Sequence, residues 1–153
     1  MRLSEHFTLA ELTVSEVADL EGIDNQPTEE WEIDNLRVLC EDILEPVRSY
    51  YGVPFSPNSG YRCVELNEEI GGSPTSQHCL GLAADIEVPG VSNLVLAWWI
   101  RTHLDFDQLI LELYDIDVPD AGWVHVSVQS SERGRRHEPL TYDGERYTPG
   151  LPG

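Results

Sequence analysis

The sequence predicts an α+β domain, with a small, mostly antiparallel sheet and helices packed on one of its faces. Residues 28–51 have strong helical periodicity, and a second apolar helix follows Ser92. Later apolar stretches instead alternate with a period of two, which is typical of strands. The chain of 153 residues fits one domain, residues 1–153, in which about 135–153 form a C-terminal hairpin or tail.

Capping signals and an apolar stripe predict the helices. Thr8 and Glu11 have the spacing of a capping box, which indicates a short helix. In the long helix Thr28 is the predicted N-cap, Pro46 is expected to produce a kink, and Gly52 is expected to end it. Its apolar residues fall at helical spacing and predict a buried face: Leu36, Leu39, Cys40, Ile43, Leu44 and Val47.

Three strands are predicted in the second half of the chain. The first runs from about Leu82 to Val88, and the others are the segments FDQLILEL and GWVHVSV, joined by an acidic loop. Each has one apolar face that suits the core. The tail segment TYDGERYT contains an Asp-Gly pair, which predicts a further hairpin.

The charge and the cysteines limit the classes of function. There are 28 acidic residues and nine basic ones, all arginine, for a net charge of −19. Binding to nucleic acid or to an anionic membrane is therefore not expected. Such acidity suits a protein that works in concentrated salt, although an arginine-favouring, GC-rich genome is an alternative reason for the lack of lysine. The three cysteines are expected to be free thiols, with a Cys63–Cys79 bridge as the alternative.

Polar residues interrupt the predicted strands on the side that faces away from the core. In LAADIEV, Asp85 shares a face with Ala83 and Glu87, opposite the apolar face. A buried carboxylate needs a cation or hydrogen-bond donors, so Asp85 must face something polar. In WVHVSV, His125 lies on the strand face away from the valines. Pairing of the last two strands is expected to bring Glu112 near-opposite His125 as a cross-strand partner.

A metal site is predicted from these residues together with His78. Gly81 is expected to turn the chain between His78, in a loop, and Asp85, in a strand. Two imidazoles and one carboxylate suit Zn²⁺ with an open fourth position, and such an ion lowers the pKa of water to about 7. Glu112 is predicted to be the base that takes the proton of this water. The alternative is structural, with His78 as a loop cap and Asp85 as a solvated sheet residue.

The segment SQHCLGLAAD matches the pattern S-x-H-x-x-G-x-A-x-D and resembles the zinc D-Ala-D-Ala carboxypeptidase family of peptidoglycan peptidases. That family shares its fold with the hedgehog signalling domain. SGYRC upstream and WVHVSV downstream stand in the expected order, and LSEHFTLAEL is similar to the start of small phage and bacterial members. The resemblance implies that the zinc ligands are His78, Asp85 and His125.

The resemblance also implies roles for residues around the metal. Arg62 would bind a carbonyl or carboxylate of the substrate, Ser76 would hold the site loop or a substrate end, and Trp123 is predicted to contact the substrate. Many members carry the catalytic glutamate three residues before the last histidine, where this chain has Gly122. Glu112 is therefore predicted to be the base, with Asp120 as the second candidate.

The sequence thus predicts a zinc-dependent peptidase that hydrolyses peptidoglycan cross-link or stem peptides at a bond containing D-alanine. No signal peptide or membrane span is predicted. The small size suits a phage enzyme, either an endolysin in the host cytoplasm before lysis or a virion-associated factor with other virion proteins as partners. The alternative is a non-enzymatic virion or binding module that keeps the zinc-peptidase fold.

Overall fold

Helices lie mainly in the first two thirds of the chain in the computed structural model, which describes residues 1–129 and 134–153. In chain order they are α1 (Leu9–Thr13), α2 (Glu16–Glu21), α3 (Glu30–Leu39), α4 (Glu45–Tyr51), α5 (Val64–Glu69) and α6 (Asn93–His103). A π-helical turn, Cys40–Leu44, joins α3 to α4, and a 3₁₀ helix, Gln77–Leu80, precedes the first strand.

The helix ends agree with the sequence prediction in part. The capping box of Thr8 and Glu11 is present at the start of α1, and Gly52 ends α4 in the left-handed conformation. The prediction of Thr28 as an N-cap was wrong, because the N-cap is Glu29. The carboxylate of Glu32 accepts hydrogen bonds from the backbone N–H groups of both Thr28 and Glu29, which moves the helix start by one residue.

The irregularity expected at Pro46 takes the form of the π-helical turn that ends at Leu44. Proline has no N–H to give to the carbonyl one turn earlier, and its ring crowds that carbonyl. A wider turn in the preceding residues accommodates both effects, so that the helical path continues through Pro46 into α4.

Within the described residues, the sheet has five strands in the order β1-β3-β2-β4-β5. Their bounds are β1 (Ala83–Ile86), β2 (Gln108–Glu112), β3 (Trp123–Ser127), β4 (Glu138–Tyr142) and β5 (Tyr147–Pro149). Only β2 and β4 pair in parallel, and the other neighbours are antiparallel. The predicted α+β class is thus confirmed, as is the tail hairpin, whereas the first strand is shorter than predicted.

One face of the sheet forms the core together with the helices. The inward-facing side chains of the central strands are fully buried: Ala84, Ile86, Leu109, Leu111, Val124 and Val126. They belong to the same buried cluster as the apolar stripe of α3 and α4, and α6 packs against β2 and β3. The opposite face of the sheet is left for polar side chains.

The cysteines are free, as expected from their number and spacing. Cys40 lies in the core, and burial raises the pKa of its thiol to about 12. Cys63 and Cys79 are partly buried and do not form the alternative disulfide. Across residues 1–129 and 134–153, no helix is both long enough and apolar enough to cross a membrane.

Candidate metal centre and substrate cleft

The three predicted metal ligands meet on the polar face of the sheet. Asp85 in β1 and His125 in β3 are direct cross-strand partners, and Asp85 Oδ1 lies 3.0 Å from His125 Nδ1. The 3₁₀ helix places His78 Nε2 3.3 Å from the same carboxylate oxygen. The candidate ligand atoms of all three residues lie within 4.8 Å of one another, so one metal ion can contact all three.

The loop that carries His78 is shaped by the residues of the sequence motif. Ser76 caps the 3₁₀ helix, because its hydroxyl accepts a hydrogen bond of 3.2 Å from the backbone N–H of His78. Gly81 ends that helix with φ +74°. A Cβ atom at Gly81 would lie 2.7 Å from the carbonyl oxygen of Glu32, so only glycine allows α3 to approach this closely.

A buried nitrogen of His78 faces the metal site without a hydrogen-bond partner. His78 Nδ1 donates to the carbonyl of Gly60 over 2.7 Å, which fixes the tautomer and leaves Nε2 with a lone pair. Nε2 is buried and has no hydrogen-bond partner within the described parts of the chain. Since its lone pair points at a carboxylate of Asp85, a cation between the two groups would satisfy both.

The charges of the site favour the protonation states that bind a metal. Burial lowers the pKa of His78, although Asp85 opposes this effect, and the ring is therefore held neutral. Burial raises the pKa of Asp85, but its hydrogen bond with His125 and the proximity of His78 lower it more, so the pKa is well below its usual value. Two imidazoles and one carboxylate are a donor set that fits Zn²⁺.

Arg62 is held beside the candidate metal ligands by Asn67 and Ser59. Its Nη2 lies 3.8 Å from Asp85 Oδ2, its Nη1 donates to Asn67 Oδ1 over 3.1 Å, and its Nε donates to Ser59 Oγ over 3.4 Å. Asn25 fixes the same segment by accepting from the N–H of Cys63. Ser59 belongs to the SGYRC motif and Asn67 to α5, whereas Asn25 is distant in sequence and was not predicted.

Glu112 lies in the cleft, but the predicted strand register was wrong. Glu112 pairs with Trp123, and His125 pairs with Ile110. The register is shifted by two residues, so Glu112 remains on the face of His125 as its diagonal neighbour. Trp123 Nε1 donates to Glu112 Oε2 over 2.7 Å. Burial, followed by the charge of Asp85, raises the pKa of Glu112.

Gly122 occupies a position where no side chain fits. Its φ is +74°, and a Cβ atom there would lie 1.9 Å from the carbonyl oxygen of Glu112. A glutamate three residues before His125 is thus incompatible with this backbone, and a base must come from elsewhere. Asp120, the second candidate, is exposed and is not part of the cleft lining, whereas Glu112 is.

The three candidate metal ligands lie in an open cleft of about 920 Å³. Its walls include aromatic and cationic side chains from several elements, among them Trp31, Arg62, Trp123, Arg136 and Tyr147. Trp31, Arg136 and Tyr147 could not be predicted as cleft residues, because the sequence around an exposed aromatic residue or arginine does not indicate what the side chain faces.

The fully buried Asp107 connects the C-terminal segment to the 3₁₀ helix that carries His78. Asp107 is fully buried, and its two carboxylate oxygens accept hydrogen bonds from Arg136 Nε and Nη2 over 2.9 and 2.8 Å. Gln77, next to His78 in the 3₁₀ helix, donates to the same carboxylate over 2.9 Å. Asp107 therefore connects three segments that surround the cleft.

The α+β fold and this site are those of a metallohydrolase: in residues 1–129 and 134–153, a candidate metal position, an arginine and a carboxylate share an open cleft. A family model described as Peptidase M15 matches residues 5–127, most of the chain. The chain therefore belongs to the peptidase M15 family of metallopeptidases, which are typically zinc-dependent, and the resemblance stated from the motifs is confirmed. No curated protein matches the chain closely enough to count as a relative.

Proposed function

We propose that the protein is a zinc-dependent peptidase that hydrolyses stem or cross-link peptides of peptidoglycan at a bond containing D-alanine. One observation carries the proposal: the buried, unpartnered Nε2 of His78 faces Asp85 and His125 at the base of an open cleft. Membership of the peptidase M15 family supports a peptide substrate. The choice of peptidoglycan and D-alanine rests on the motif from Ser76 to Asp85.

His78, Asp85 and His125 would hold the metal. Zn²⁺, when bound, supplies a Lewis acid and lowers the pKa of water. Arg62 has a separate task, because Asn67 and Ser59 fix its guanidinium at the cleft wall. There it can donate to the carbonyl oxygen of the substrate as negative charge develops on that atom.

Glu112 is proposed to move the proton. In hydrolysis the water oxygen bonds to the carbonyl carbon, the amide C–N bond breaks, and the leaving amine gains a proton. Glu112 would accept a proton from the water and deliver it to the amine. Trp123 holds one oxygen of this carboxylate, and partial burial with a raised pKa suits a group that must both take and release a proton.

The biological setting is proposed from the same motifs. A phage-encoded endolysin or a virion-associated factor fits a compact catalytic domain with peptidoglycan as its partner. The lack of lysine and the net charge of −19 support neither a nucleic acid nor an anionic membrane as a partner.

Digestion of purified peptidoglycan by the zinc-loaded full-length chain tests the proposed function. Mass spectrometry should detect released D-alanine or new fragments whose ends contain D-alanine. A chelator should abolish the products and added zinc should restore them, while His78→Ala should lose both the metal and the activity. Binding of one zinc per chain with no product at any salt concentration would instead support a non-enzymatic binding module.

A further inference from the structure

The substrate cleft extends beyond the part of the chain that the family model matches. The match ends at residue 127, whereas Arg136 and Tyr147 also line the cleft. Tyr147 begins β5, the second strand of the C-terminal hairpin, which comprises residues 138–149. One wall of the cleft is therefore supplied by a segment outside the family match.

Strand register places Tyr147 in a row of side chains that starts beside the metal site. Trp123 pairs with Glu112, Glu112 with Tyr142, and Tyr142 with Tyr147, across four adjacent strands. Neighbouring strands lie about 4.8 Å apart, so β5 is about 14 Å from β3, the strand of His125. An extended peptide spans about 3.3–3.6 Å per residue, so this distance corresponds to about four residues.

Tyr147 presents an exposed aromatic ring that a second ring supports. Its ring stacks on Tyr142, with centroids 4.4 Å apart and an interplanar angle of 27°. The hydroxyl of Tyr142 donates to the carbonyl of Gly144 over 2.8 Å, which fixes the supporting ring. The side of Tyr147 away from Tyr142 is open, and the residue is 57% exposed. A supported aromatic ring offers contact area at a low cost in conformational entropy.

The hairpin is anchored to the site loop. Arg136, just before β4, is held by Asp107, and Asp107 also accepts a hydrogen bond from Gln77. Along the edge away from β5, β4 pairs with β2, the strand that carries Glu112. Tyr147 is thus fixed relative to the metal ligands, as a residue that selects substrates must be.

We propose that Tyr147 contacts the substrate and that the cleft favours peptides that extend about four residues from the bond to be cleaved. This inference rests on the proposed function, because it names the length of peptide that the same site prefers. A dipeptide bound at the metal ligands would not reach Tyr147, whereas a stem or cross-linked peptide would.

A length series of synthetic peptides tests this proposal. The series is a dipeptide with the D-Ala-D-Ala bond and peptides lengthened by three or more residues on either side. For a long peptide, Tyr147→Ala should lower kcat/KM about tenfold, which corresponds to the loss of about 1.4 kcal/mol of contact. It should leave the dipeptide unaffected. Tyr147→Phe should keep the wild-type preference, and Thr148→Ala, on the other face of β5, is the matched control.

The outcome also distinguishes the inference from the proposed function. Calorimetric titration of the full-length chain with the uncleaved long peptide, with and without zinc, measures binding when no bond is broken. Tighter binding of long peptides, lost in Tyr147→Ala but not in Tyr147→Phe, would support the inference even if the wild type cleaves nothing. The inference would be overturned if Tyr147→Ala weakened the binding of short and long peptides equally or weakened neither. It would also be overturned if the wild type did not bind a long peptide.

Discussion

Gly122 excludes one position in the sequence as the source of a catalytic base. At Gly122 the left-handed φ and the carbonyl of Glu112, 1.9 Å from an added Cβ, leave no room for the glutamate that many family members carry there. The same close contact brings the strand of Glu112 against the strand that carries His125. This backbone geometry therefore has two results: it excludes a side chain at position 122, and it places Glu112 in the cleft.

Glu112→Gln is expected to keep the metal and lose turnover. Glutamine keeps the size of the side chain and can still accept from Trp123 Nε1, but it cannot take a proton. The expected loss in kcat is about 10²–10⁴-fold, the usual contribution of a general base. Zinc content by elemental analysis and peptide release by mass spectrometry measure the two effects.

Glu41→Gln is the matched control, since Glu41 is exposed and lies in the π-helical turn, away from the cleft. It should leave both zinc content and turnover unchanged. Undiminished product release by Glu112→Gln would show that the base is another group.

The candidate metal ligands could be predicted from strand alternation together with the sequence motif, but most contacts that orient them could not. Strand alternation alone turned Asp85 and His125 away from the apolar core, and both do lie on the polar face. The carbonyl of Gly60, which orients His78, lies 18 residues earlier in the chain, so the local pattern contains no information about this contact. The amide of Asn67, which orients Arg62, belongs to α5, and only the folded structure shows that the two side chains meet.

At the scale of elements, the face of a strand was easier to predict than its register. Side chains alternate with a period of two, so a shift by two residues keeps Glu112 on the predicted face while its partner changes from His125 to Trp123. The tail hairpin was predictable from its Asp-Gly turn. Its parallel pairing with β2 was not, because β2 and β4 are distant in sequence and no local pattern sets their register.

Asp107→Asn is expected to loosen the C-terminal hairpin and to change the acid stability of the chain. Burial raises the pKa of Asp107, but hydrogen bonds from Arg136 and Gln77 lower it more, so the net shift is downward. The ion pair therefore stabilises the fold above the unfolded-state pKa of about 3.9, and this stability is lost as the pH falls below that value. At pH 7 the variant should lose about 1–3 kcal/mol of unfolding free energy, less than a fully buried pair would, since Arg136 is half exposed.

Urea unfolding between pH 7 and pH 3 measures this effect. The difference between wild type and Asp107→Asn should shrink toward the acid end, because the wild type loses the stabilisation that the variant already lacks. Asp34→Asn removes an exposed carboxylate from α3 and controls for the change in net charge. A difference that stays constant down to pH 3 would exclude the ion pair as its cause.

At the scale of the whole molecule, charge is the dominant feature. With 28 acidic residues against nine arginines, repulsion between carboxylates opposes the compact state. Some arginines are used locally, as in the pairs Arg136–Asp107 and Arg135–Asp42, and Arg62 serves the cleft. Most of the acidic surface is therefore balanced by ions from solution.

Helix α5 shows the repulsion on a small scale. Glu65, Glu68 and Glu69 are exposed on a helix of six residues. Glu65 is three and four residues from the other two, which are the spacings at which like charges on a helix repel. Two of the three also lie in the last turn, where negative charge is unfavourable and no basic residue is present.

Raising the salt concentration is therefore expected to stabilise the wild-type chain. The Debye length falls from about 10 Å at 0.1 M to about 3 Å at 1 M salt, which screens repulsion between exposed carboxylates. The melting temperature should rise with sodium chloride, by about 2–4 °C for each kcal/mol gained. The triple variant Glu65→Gln, Glu68→Gln and Glu69→Gln should melt higher than the wild type at low salt and gain less from added salt. Calorimetric melting of both chains across this range of salt concentration tests the prediction. A wild-type melting temperature that falls with salt would mean that attractive ion pairs outweigh the repulsion. If the melting temperatures of both chains rose equally with salt, the acidic face of α5 would contribute nothing to the repulsion.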